Sequence, residues 1–256
     1  VDSLESLKQA VAELGLPIVL KTVTGGYDGK GQFVLRSEDQ IDTAWAELGP
    51  AKSLIAESFV KFSREVSIIA VRGQDGDVKT WALAENHHHN GILSHSIVPA
   101  PNSTDLQPVA QDYITRLLNH LNYVGVLTLE LFVTEQGLYA NEMACRVHNS
   151  GHWSIEGAIC SQFENHIRAV AGLPLGSTDV VRPTVMINII GQHPKSEDVL
   201  ALKGAHLHLY NKSERAGRKL GHITLMPNNS DELTVLCRQL AQILPVPLAL
   251  TTDMNL

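Results

Sequence analysis

The chain has 256 residues, 44% of them hydrophobic, and its 20 basic and 27 acidic side chains give it a formal net charge of −7. This acidic balance excludes a general basic face for nucleic acid, and no apolar run approaches the roughly 18 residues of a membrane-spanning helix. Length and composition therefore predict a globular protein of one large domain or two smaller ones, with no nucleic-acid or membrane partner.

The cysteines and the start of the chain predict where the protein works. The first residues lack a secretory signal pattern, and three cysteines without C-x-x-C spacing predict a reducing, cytoplasmic compartment. The sequence opens at Val1, inside a predicted helix and without an initiator methionine, so a complete chain and a fragment both stay open as interpretations.

Periodicity and turn signals predict alternating helices and strands. Apolar residues at helical spacing predict helices over 3–14, 37–48, 104–121, 154–171 and 231–244. Strand-forming runs predict strands over 18–20, 33–35, 54–57, 65–71, 78–84, 124–133, 138–143, 184–190, 205–210 and 222–225. Ser37 and Gln40 should form a capping box at the second helix. The fourth helix should bury one apolar stripe, made of Ile155, Ile159, Phe163, Ile167 and Val170. This mixture predicts the α+β class rather than a doubly wound sheet.

A glycine-rich loop, Thr24-Gly-Gly-Tyr-Asp-Gly-Lys-Gly-Gln32, connects the first two predicted strands. Glycine lacks Cβ, so successive backbone N–H groups can turn toward phosphate oxygens, and Lys30 adds a mobile positive charge. The spacing excludes a Walker A loop, because Gly31 follows the lysine, and a dinucleotide fingerprint, because Val34 replaces its third glycine. A loop from strand to strand favours a lid over phosphates. A long hairpin turn with a solvated lysine is the alternative.

Two glutamates in a later hairpin give the sharpest geometric prediction. If the loop is 135–137, Thr134 pairs with Leu138, and the same register pairs Glu130 with Glu142. Directly paired residues point to one face with Cβ atoms roughly 5 Å apart, so these carboxylates should share a cation. Such oxygen ligands suit Mg²⁺ bound together with nucleotide phosphates. Two exposed glutamates on a solvated strand face are the alternative.

The segment Arg146-Val-His-Asn-Ser-Gly-His-Trp153 follows the predicted metal pair directly. His148 and His152 are four residues apart, but the Asn, Ser and Gly between them disfavour a helix. No glutamate follows the first histidine either, so a zinc site is disfavoured. An anion-binding loop with Arg146 as a fork-shaped donor fits better. A loop that leads into a helix and supplies its cap is the alternative.

Two further polar clusters have both a functional and a structural interpretation. The run 87–89 of three histidines could hold a metal, but the Asn-Gly turn signal after it favours a solvated turn with one functional member. Arg215, Arg218 and Lys219 form a compact basic cluster in this acidic chain, which fits capture of a small phosphate. A solvated hairpin tip is nearly as well supported.

Together these segments resemble the ATP-grasp ligases, and among them the 5-(carboxyamino)imidazole ribonucleotide synthase family of purine biosynthesis. The resemblance covers nearly the whole chain. Its most specific segments are Lys21 with the glycine-rich loop, Glu57-Ser-Phe-Val60, Glu65-Val-Ser, Tyr123 to Glu130, Asn141-Glu142, Arg146 to Trp153, Met186-Ile-Asn188 and Gly217 to His222. The segment from Arg146 to Trp153 separates this family from other ATP-grasp enzymes.

The resemblance implies an ATP-grasp fold of two lobes, with nucleotide between antiparallel sheets, and a small, mostly β C-terminal domain. The small lobe with the flap would span 1–83, the large lobe with the metal and bicarbonate site 84–182, and the small domain 183–256. Family members also begin with a domain that has no counterpart in this chain. They usually carry proline where Cys145 stands, which should alter the rigidity of the loop.

The resemblance also implies the reaction and its partners. With Mg²⁺ as cofactor, ATP would phosphorylate bicarbonate to carboxyphosphate. The carboxyl group would then pass to the exocyclic amine of 5-aminoimidazole ribonucleotide, with release of ADP and phosphate. A homodimer is a further expectation. The alternatives are another ATP-grasp carboxylate–amine ligase and a nucleotide-binding fragment without turnover.

The resemblance assigns site residues at the matching positions. Mg²⁺ would be held by Glu130 and Glu142. The catalytic set would be Arg146, His148 and Asn149, which hold bicarbonate and the carboxyl intermediate, and Lys30. The nucleotide would contact Lys21, Gly26, Tyr27, Asp28, Gly29, Gly31, Gln32, Glu57, Ser58, Phe59, Val60, Glu65, His88 and Asn141. Tyr27 and Asp28 would also lie near the imidazole substrate, whose phosphate would contact Lys212, Arg218 and Lys219.

Overall fold

The computed structural model describes residues 1–25, 30–51 and 53–245, and the chain divides into two compact units. One unit comprises Val1–Lys61 with Asn90–Ile92, and the other comprises Phe62–His89 with Leu93–Leu256. Both units combine antiparallel strands with helices, which confirms the predicted α+β class. The segment boundaries expected at 83 and 182 stay a prediction. Within the described part of the chain, no helix has the length and apolar character needed to cross a membrane.

The first unit is a three-stranded antiparallel sheet with two helices. Its elements are α1 (Leu4–Leu14), β1 (Ile18–Thr22), β2 (Gln32–Leu35), α2 (Ile41–Leu48) and β3 (Leu54–Ser58). The strand order is β2-β1-β3, so β1 is central. Ile18 and Leu20 of β1 are fully buried and share one apolar core with Leu7 of α1. This packing fixes the strand on which Lys21 lies.

The second unit is built on one nine-stranded sheet. Its strands are β4 (Arg64–Arg72), β5 (Val78–Thr80), β6 (Ala84–His89), β7 (Ile92–Val98), β8 (Gly125–Thr134), β9 (Gly137–Ala144), β10 (Thr184–Ile190), β11 (Ala205–Leu209) and β12 (Lys219–Leu225). Its helices are α3 (Leu106–His120), α4 (Ser154–Gly157), α5 (Gln162–Val170), α6 (Ser196–Leu200) and α7 (Ser230–Ile243). The order is β11-β12-β10-β7-β6-β4-β8-β9, with β5 paired to β4. The strands after residue 183 therefore extend this sheet.

Helices cover both faces of this sheet because its central strands are apolar on both sides. Ile68 of β4 and Leu127 of β8 pack against α3, including Ile114. On the opposite face, Ile69 shares a core with Ala169 of α5. Successive side chains of a strand point to opposite faces, so a near-continuous apolar run is what a strand buried on both sides requires.

The predicted helix over 154–171 is wrong in extent, because two helices replace it. Ala158 is extended and forms a β-bridge with Val180, and Ser161 then caps α5 by accepting a hydrogen bond from Glu164 N. The stripe expected to be buried is instead partly or well exposed, with exposures of 36–64% at Ile155, Ile159, Phe163, Ile167 and Val170.

The face of α5 that packs on the sheet carries polar side chains. Gln162 and Asn165 are fully buried there, together with Ala169. Asn165 donates to Gly176 O and accepts from Gly176 N. Such bonds offset the cost of burying an amide, so specific partners, rather than apolar character, decide which face is inside.

The capping box predicted at the second helix is also wrong. A 3-10 turn at Glu38–Gln40 precedes α2, and Ser37 makes no side-chain capping bond. Gln40 Oε1 instead accepts from the backbone N–H of Arg36 at 2.8 Å, so its side chain stabilises the turn before the helix and does not cap the helix.

Two truncations test the revised core. Leu127→Ala should lower the free energy of unfolding by about 2–5 kcal/mol, because it empties a fully buried site. Ile167→Ala should change it by less than about 0.5 kcal/mol, because that side chain is 64% exposed. Urea unfolding of both variants measures the difference, and a large loss for Ile167→Ala would restore the inward orientation predicted from periodicity.

Candidate functional site

The acidic pair predicted on β8 and β9 is confirmed, but by a different register. Val133 pairs with Leu138 and Thr134 with Gly137, so the predicted pairing of Thr134 with Leu138 is wrong by one residue. A register shift after Glu130 then restores the pairing of Glu130 with Glu142. The extra residue is Asn141, between Ala140 and Glu142. A β-bulge of this kind re-aims side chains, and here it turns the second carboxylate to the face of the first.

Polar residues on one face of the large sheet form a row across neighbouring strands. Ser67 of β4 pairs directly with Glu130, and Glu65 two residues earlier pairs with Phe132. Glu65 also pairs with Asn86 of β6, which places His88 on the same face. Directly paired residues share a face, so this row brings together Glu65, His88 and Glu130, although 65 positions of the chain separate Glu65 from Glu130.

Glu130 is the electrostatic centre of this row. Burial is the main reason that its pKa rises to about 6. The positive charge of His88 lowers this pKa, and the negative charges of Glu142 and Glu65 raise it further. His148 Nε2 lies 3.3 Å from Glu130 Oε1, and His88 Nδ1 lies 3.3 Å from Glu65 Oε2. Burial would lower the pKa of His88, yet its contact with Glu65 raises that pKa overall. The site therefore attracts positive charge.

The loop 146–153 presents His148 to this centre. His148 N-caps a 3-10 turn at Asn149–Gly151, with its Nδ1 accepting from Ser150 N. Burial, with help from Arg146, lowers the pKa of His148 to about 3, so the ring is neutral at physiological pH. Because Nδ1 is an acceptor, the ring proton lies on Nε2, the nitrogen that faces Glu130.

Asn149 and Arg146 complete the loop predicted to bind an anion. The amide of Asn149 exchanges two hydrogen bonds with Asn188 of β10, at 2.9 and 2.8 Å, and Asn188 also donates to Leu93 O. An amide nitrogen carries two hydrogens, so Asn149 keeps one N–H for a ligand. Arg146 is exposed, and its Nη1 donates to the neighbouring Val147 O.

The three residues expected to bind the substrate phosphate have different surroundings. The charge of Lys219 acts on Glu130, His148 and His152, so its ammonium lies on the side of the acidic centre. Arg218 Nη1 donates to Ser213 O and Oγ, and Lys212 Nζ lies 5.2 Å from the ring centroid of Tyr210. Their common role stays a prediction. A cavity of about 460 Å³ opens beside Arg215, lined by Ile190, Gly191, Gln192, Glu214, Ala216 and Gly217.

The first unit supplies the other predicted nucleotide contacts. Lys21 Nζ lies 2.7 Å from Glu57 Oε2, and Lys21 pairs with Gln32 across β1 and β2. Gly31 O accepts from Thr22 N, which closes the base of the glycine-rich loop. The remaining members are Lys30, within the loop, and Ser58, Phe59 and Val60 at the end of β3. Gly26, Tyr27, Asp28 and Gly29 lie outside the described residues.

The donor set fits Mg²⁺ held partly by a nucleotide. Glu130 and Glu142 are adjacent oxygen donors, and no group of three or more His, Cys, Asp or Glu residues within the described ranges forms a metal site. Mg²⁺ is commonly held by one or two carboxylates with phosphates and water. A two-carboxylate platform therefore suits it better than a complete protein cage.

Sequence reasoning missed the residues that support this loop. Ser67 Oγ and Ser150 Oγ lie 2.8 Å apart, both fully buried, and tie the loop to β4. Gln162 and Asn188 hold it from α5 and β10. Asn188 and Ser150 lie inside segments that carried the family resemblance, whereas Gln162 lies in none of them and was hidden in an apparently amphipathic stretch.

Comparison with protein families gives two matches along the chain. Residues 1–163 match the ATP-grasp domain, and residues 184–235 match the phosphoribosylaminoimidazole carboxylase C-terminal domain. The first match covers more than half of the chain.

Individual relatives extend the likeness to nearly the whole chain. The N5-carboxyaminoimidazole ribonucleotide synthase of Vibrio parahaemolyticus is 47% identical over 250 residues, which are 95% of this chain and 66% of that protein. The Pseudomonas aeruginosa protein of the same name is 53% identical over 225 residues, 88% of this chain and 62% of that protein. This chain therefore spans just under two thirds of the length of these relatives.

Solved structures show the same likeness in three dimensions. N5-carboxyaminoimidazole ribonucleotide synthetase from Thermus thermophilus superposes with a TM-score of 0.89 at 47% identity, over 96% of this chain and 67% of that one. The synthase from Aspergillus clavatus in complex with ADP and 5-aminoimidazole ribonucleotide gives 0.86 at 31% identity, over 95% and 66%. The ATP-grasp fold expected from the sequence is confirmed by these matches.

The raised pKa of Glu130 makes a prediction about stability against pH. The folded state holds the proton more tightly than the unfolded state, so Glu130 costs stability as pH rises from about 4.5 through about 6. In EDTA, Glu130→Gln should therefore be more stable than the unmodified chain at pH 7 by about 1–2 kcal/mol, and no more stable at pH 4. Urea unfolding at both pH values measures this. Glu135→Gln, in the exposed turn of the same hairpin, is the control, and equal behaviour of both variants would contradict the prediction.

Proposed function

This chain belongs to the ATP-grasp family and, within it, to the N5-carboxyaminoimidazole ribonucleotide synthases, and we propose that it acts as an ATP-dependent carbon–nitrogen ligase. In this proposal ATP phosphorylates bicarbonate, and the resulting carboxyphosphate carboxylates the exocyclic amine of 5-aminoimidazole ribonucleotide. The products are N5-carboxyaminoimidazole ribonucleotide, ADP and phosphate, as a step of purine biosynthesis. The supporting observation is the cross-strand pairing of Glu130 with the exposed Glu142, with His148 Nε2 3.3 Å from Glu130 Oε1.

Glu130 and Glu142 would hold Mg²⁺, which supplies charge neutralisation to the transferred phosphoryl group. Their side-by-side position on paired strands supports this role. The raised pKa of Glu130 does too, because a carboxylate that is costly to ionise alone gains most from a cation. Lys219, whose positive charge acts on Glu130 and His148, would add a further fixed charge for anionic species.

Arg146, His148 and Asn149 would hold bicarbonate and the carboxyl intermediate. Each offers a donor: the exposed guanidinium of Arg146, the Nε2–H of neutral His148, and the remaining N–H of Asn149. Such fixed donors stabilise negative charge without reorganisation during the reaction. Burial of the loop would also limit water, which hydrolyses carboxyphosphate readily.

The nucleotide would be bound by the residues predicted from the sequence. Lys21 and Lys30 would contact phosphates, with Gly26 to Gly31 as the flap, and Gln32 would be a further nucleotide contact. The segment Glu57, Ser58, Phe59 and Val60 would meet adenine, and Glu65 would take the ribose hydroxyls. His88 and Asn141 would be further nucleotide contacts. Tyr27 and Asp28 would lie near the imidazole, and Lys212 and Arg218, with Lys219, would bind its phosphate.

Two further expectations belong to this proposal. The three cysteines are free thiols, which fits a reducing cytoplasm. Exposed apolar side chains along α4 and α5 give a surface that a second copy of the chain could cover, which fits a homodimer.

Substrate dependence tests the function directly. ADP release from the chain supplied with ATP and Mg²⁺ should require both bicarbonate and 5-aminoimidazole ribonucleotide, and ¹³C-bicarbonate should label the product in mass spectra. Glu142→Gln should lower this rate at least about a hundredfold if it removes a ligand of the metal that carries the phosphates, whereas Glu135→Gln should not. ADP release with a different amine would favour another carboxylate–amine ligase. Nucleotide binding without ADP release would favour a binding module, consistent with a chain that spans 66% of its relative.

Nucleotide affinity tests the role of Lys21. Lys21→Ala should weaken ATP binding about tenfold or more, because a charge-assisted contact is worth roughly 1.5–3 kcal/mol. Calorimetric titration measures the affinity, and Lys8→Ala, on the exposed side of α1, controls for the loss of one positive charge. If the two variants bind ATP with equal affinity, the assignment of Lys21 to the nucleotide site is wrong.

A further inference from the structure

Gln162, the first residue of α5, is fully buried and holds the loop 146–153 through its side-chain amide. Its Oε1 accepts from His148 N at 2.9 Å, and its Nε2 donates to His148 O at 2.6 Å. One side chain thus makes both backbone hydrogen bonds of a single residue, as a neighbouring strand would. The same Nε2 lies 3.2 Å from His152 Nδ1.

The orientation of this amide is fixed by its partners. The backbone N–H of His148 can only donate and its C=O can only accept. In a flipped amide the NH₂ group would face the N–H of His148 and the oxygen would face its C=O, so neither hydrogen bond could form. The NH₂ group therefore faces His148 O, and its second hydrogen is directed to His152 Nδ1. That nitrogen must carry a lone pair, so His152 is the Nε2–H tautomer.

The surroundings of Gln162 leave it little freedom. Its backbone N–H donates to Ser154 Oγ at 3.0 Å, and Ser154 Oγ donates to Gly151 O at 2.6 Å. A Cβ added at Gly151 would lie 2.6 Å from Gln162 Oε1 and 2.5 Å from Ile69 Cδ1. Glycine is thus required where the loop passes the amide, and the close packing holds loop and amide together.

We propose that Gln162 is the positioning residue of the anion-binding loop: its amide fixes the backbone of His148, and so the place of that ring at Glu130, and sets the tautomer of His152. Gln162 touches none of the proposed ligands and acts only through these two histidines. The proposal rests on the proposed function for its effect on catalysis, whereas its structural part stands on the hydrogen bonds alone.

The chain contains a matched control for a purely structural amide. Gln107, half-buried near the start of α3, makes an analogous pair of bonds to two residues of a different segment: its Oε1 accepts from Leu83 N at 2.7 Å, and its Nε2 donates to Trp81 O at 3.2 Å. That segment connects β5 to β6 and contributes no residue to the proposed site. Gln162→Met and Gln107→Met each replace such an amide with an apolar side chain of similar size.

Three measurements on the unmodified chain and both variants test the proposal. Amide hydrogen exchange at His148 should quicken at least about tenfold in Gln162→Met, beyond any change in global stability, and not in Gln107→Met. With ¹⁵N-labelled histidine, NMR should show His152 as the Nε2–H tautomer, with the other tautomer appearing only in Gln162→Met; the spectrum of His152→Gln assigns the signal. The rate constant kcat should fall about tenfold or more in Gln162→Met while the KM for ATP changes little, because a displaced catalytic group costs turnover.

Each outcome decides the proposal. Unchanged exchange at His148 and an unchanged His152 tautomer in Gln162→Met would overturn it, whatever the activity. Altered exchange and tautomer with normal kcat, or equal kcat losses in both variants, would overturn the positioning role. If the unmodified chain releases no ADP in response to bicarbonate, the proposed function fails. The exchange and NMR results still decide whether Gln162 fixes the backbone of His148 and the tautomer of His152.

Discussion

The burial of most of the Glu130 carboxylate, on a sheet whose central strands are otherwise largely apolar, is the constraint on which the site depends. A carboxylate in such a place resists ionisation, and the adjacent Glu142 adds repulsion, so its pKa rises to about 6. The fold offsets this with positive charge and donors: Lys219, His88 and the Nε2–H of His148 surround the pair. Without a cation this arrangement lowers the stability of the folded protein, and with a cation its carboxylates provide a binding site.

The loop 146–153 shows how buried polar groups can specify a conformation. Its serine and asparagine side chains are each satisfied by a partner on a different element, Ser150 by Ser67 of β4 and Asn149 by Asn188 of β10. Fully satisfied networks stiffen a core, whereas a missing partner leaves a costly unpaired group. The loop is therefore held in one position from several sides, which suits a site whose donors must meet a small anion at fixed distances.

Sequence reasoning succeeded where local patterns decide the structure. Hairpin signals located Glu130 and Glu142, even though the bulge at Asn141, which corrects the register, leaves no clear trace in the sequence. It failed at α5, where helical periodicity placed Ile167 inside and the structure buries Gln162 instead. The burial of Gln162 depends on His148, fourteen residues away, and on the sheet beneath. The sequence pattern of a single helix or strand does not reveal the hydrogen-bond partners that a polar side chain finds on distant elements.

The histidines follow the same physical logic as the carboxylates. Burial lowers the pKa of His148 to about 3 and that of His152 to about 4, so both rings are neutral and act through position and tautomer rather than charge. Because a neutral ring donates through one nitrogen only, the hydrogen bond at Nδ1 determines what Nε2 presents. Ser150 N serves this purpose for His148, and the Gln162 amide serves it for His152. The Nε2–H that His148 directs at Glu130 is thus fixed by a contact on the other side of its ring. The Gln162 amide, which fixes the tautomer of His152, lies outside every motif segment.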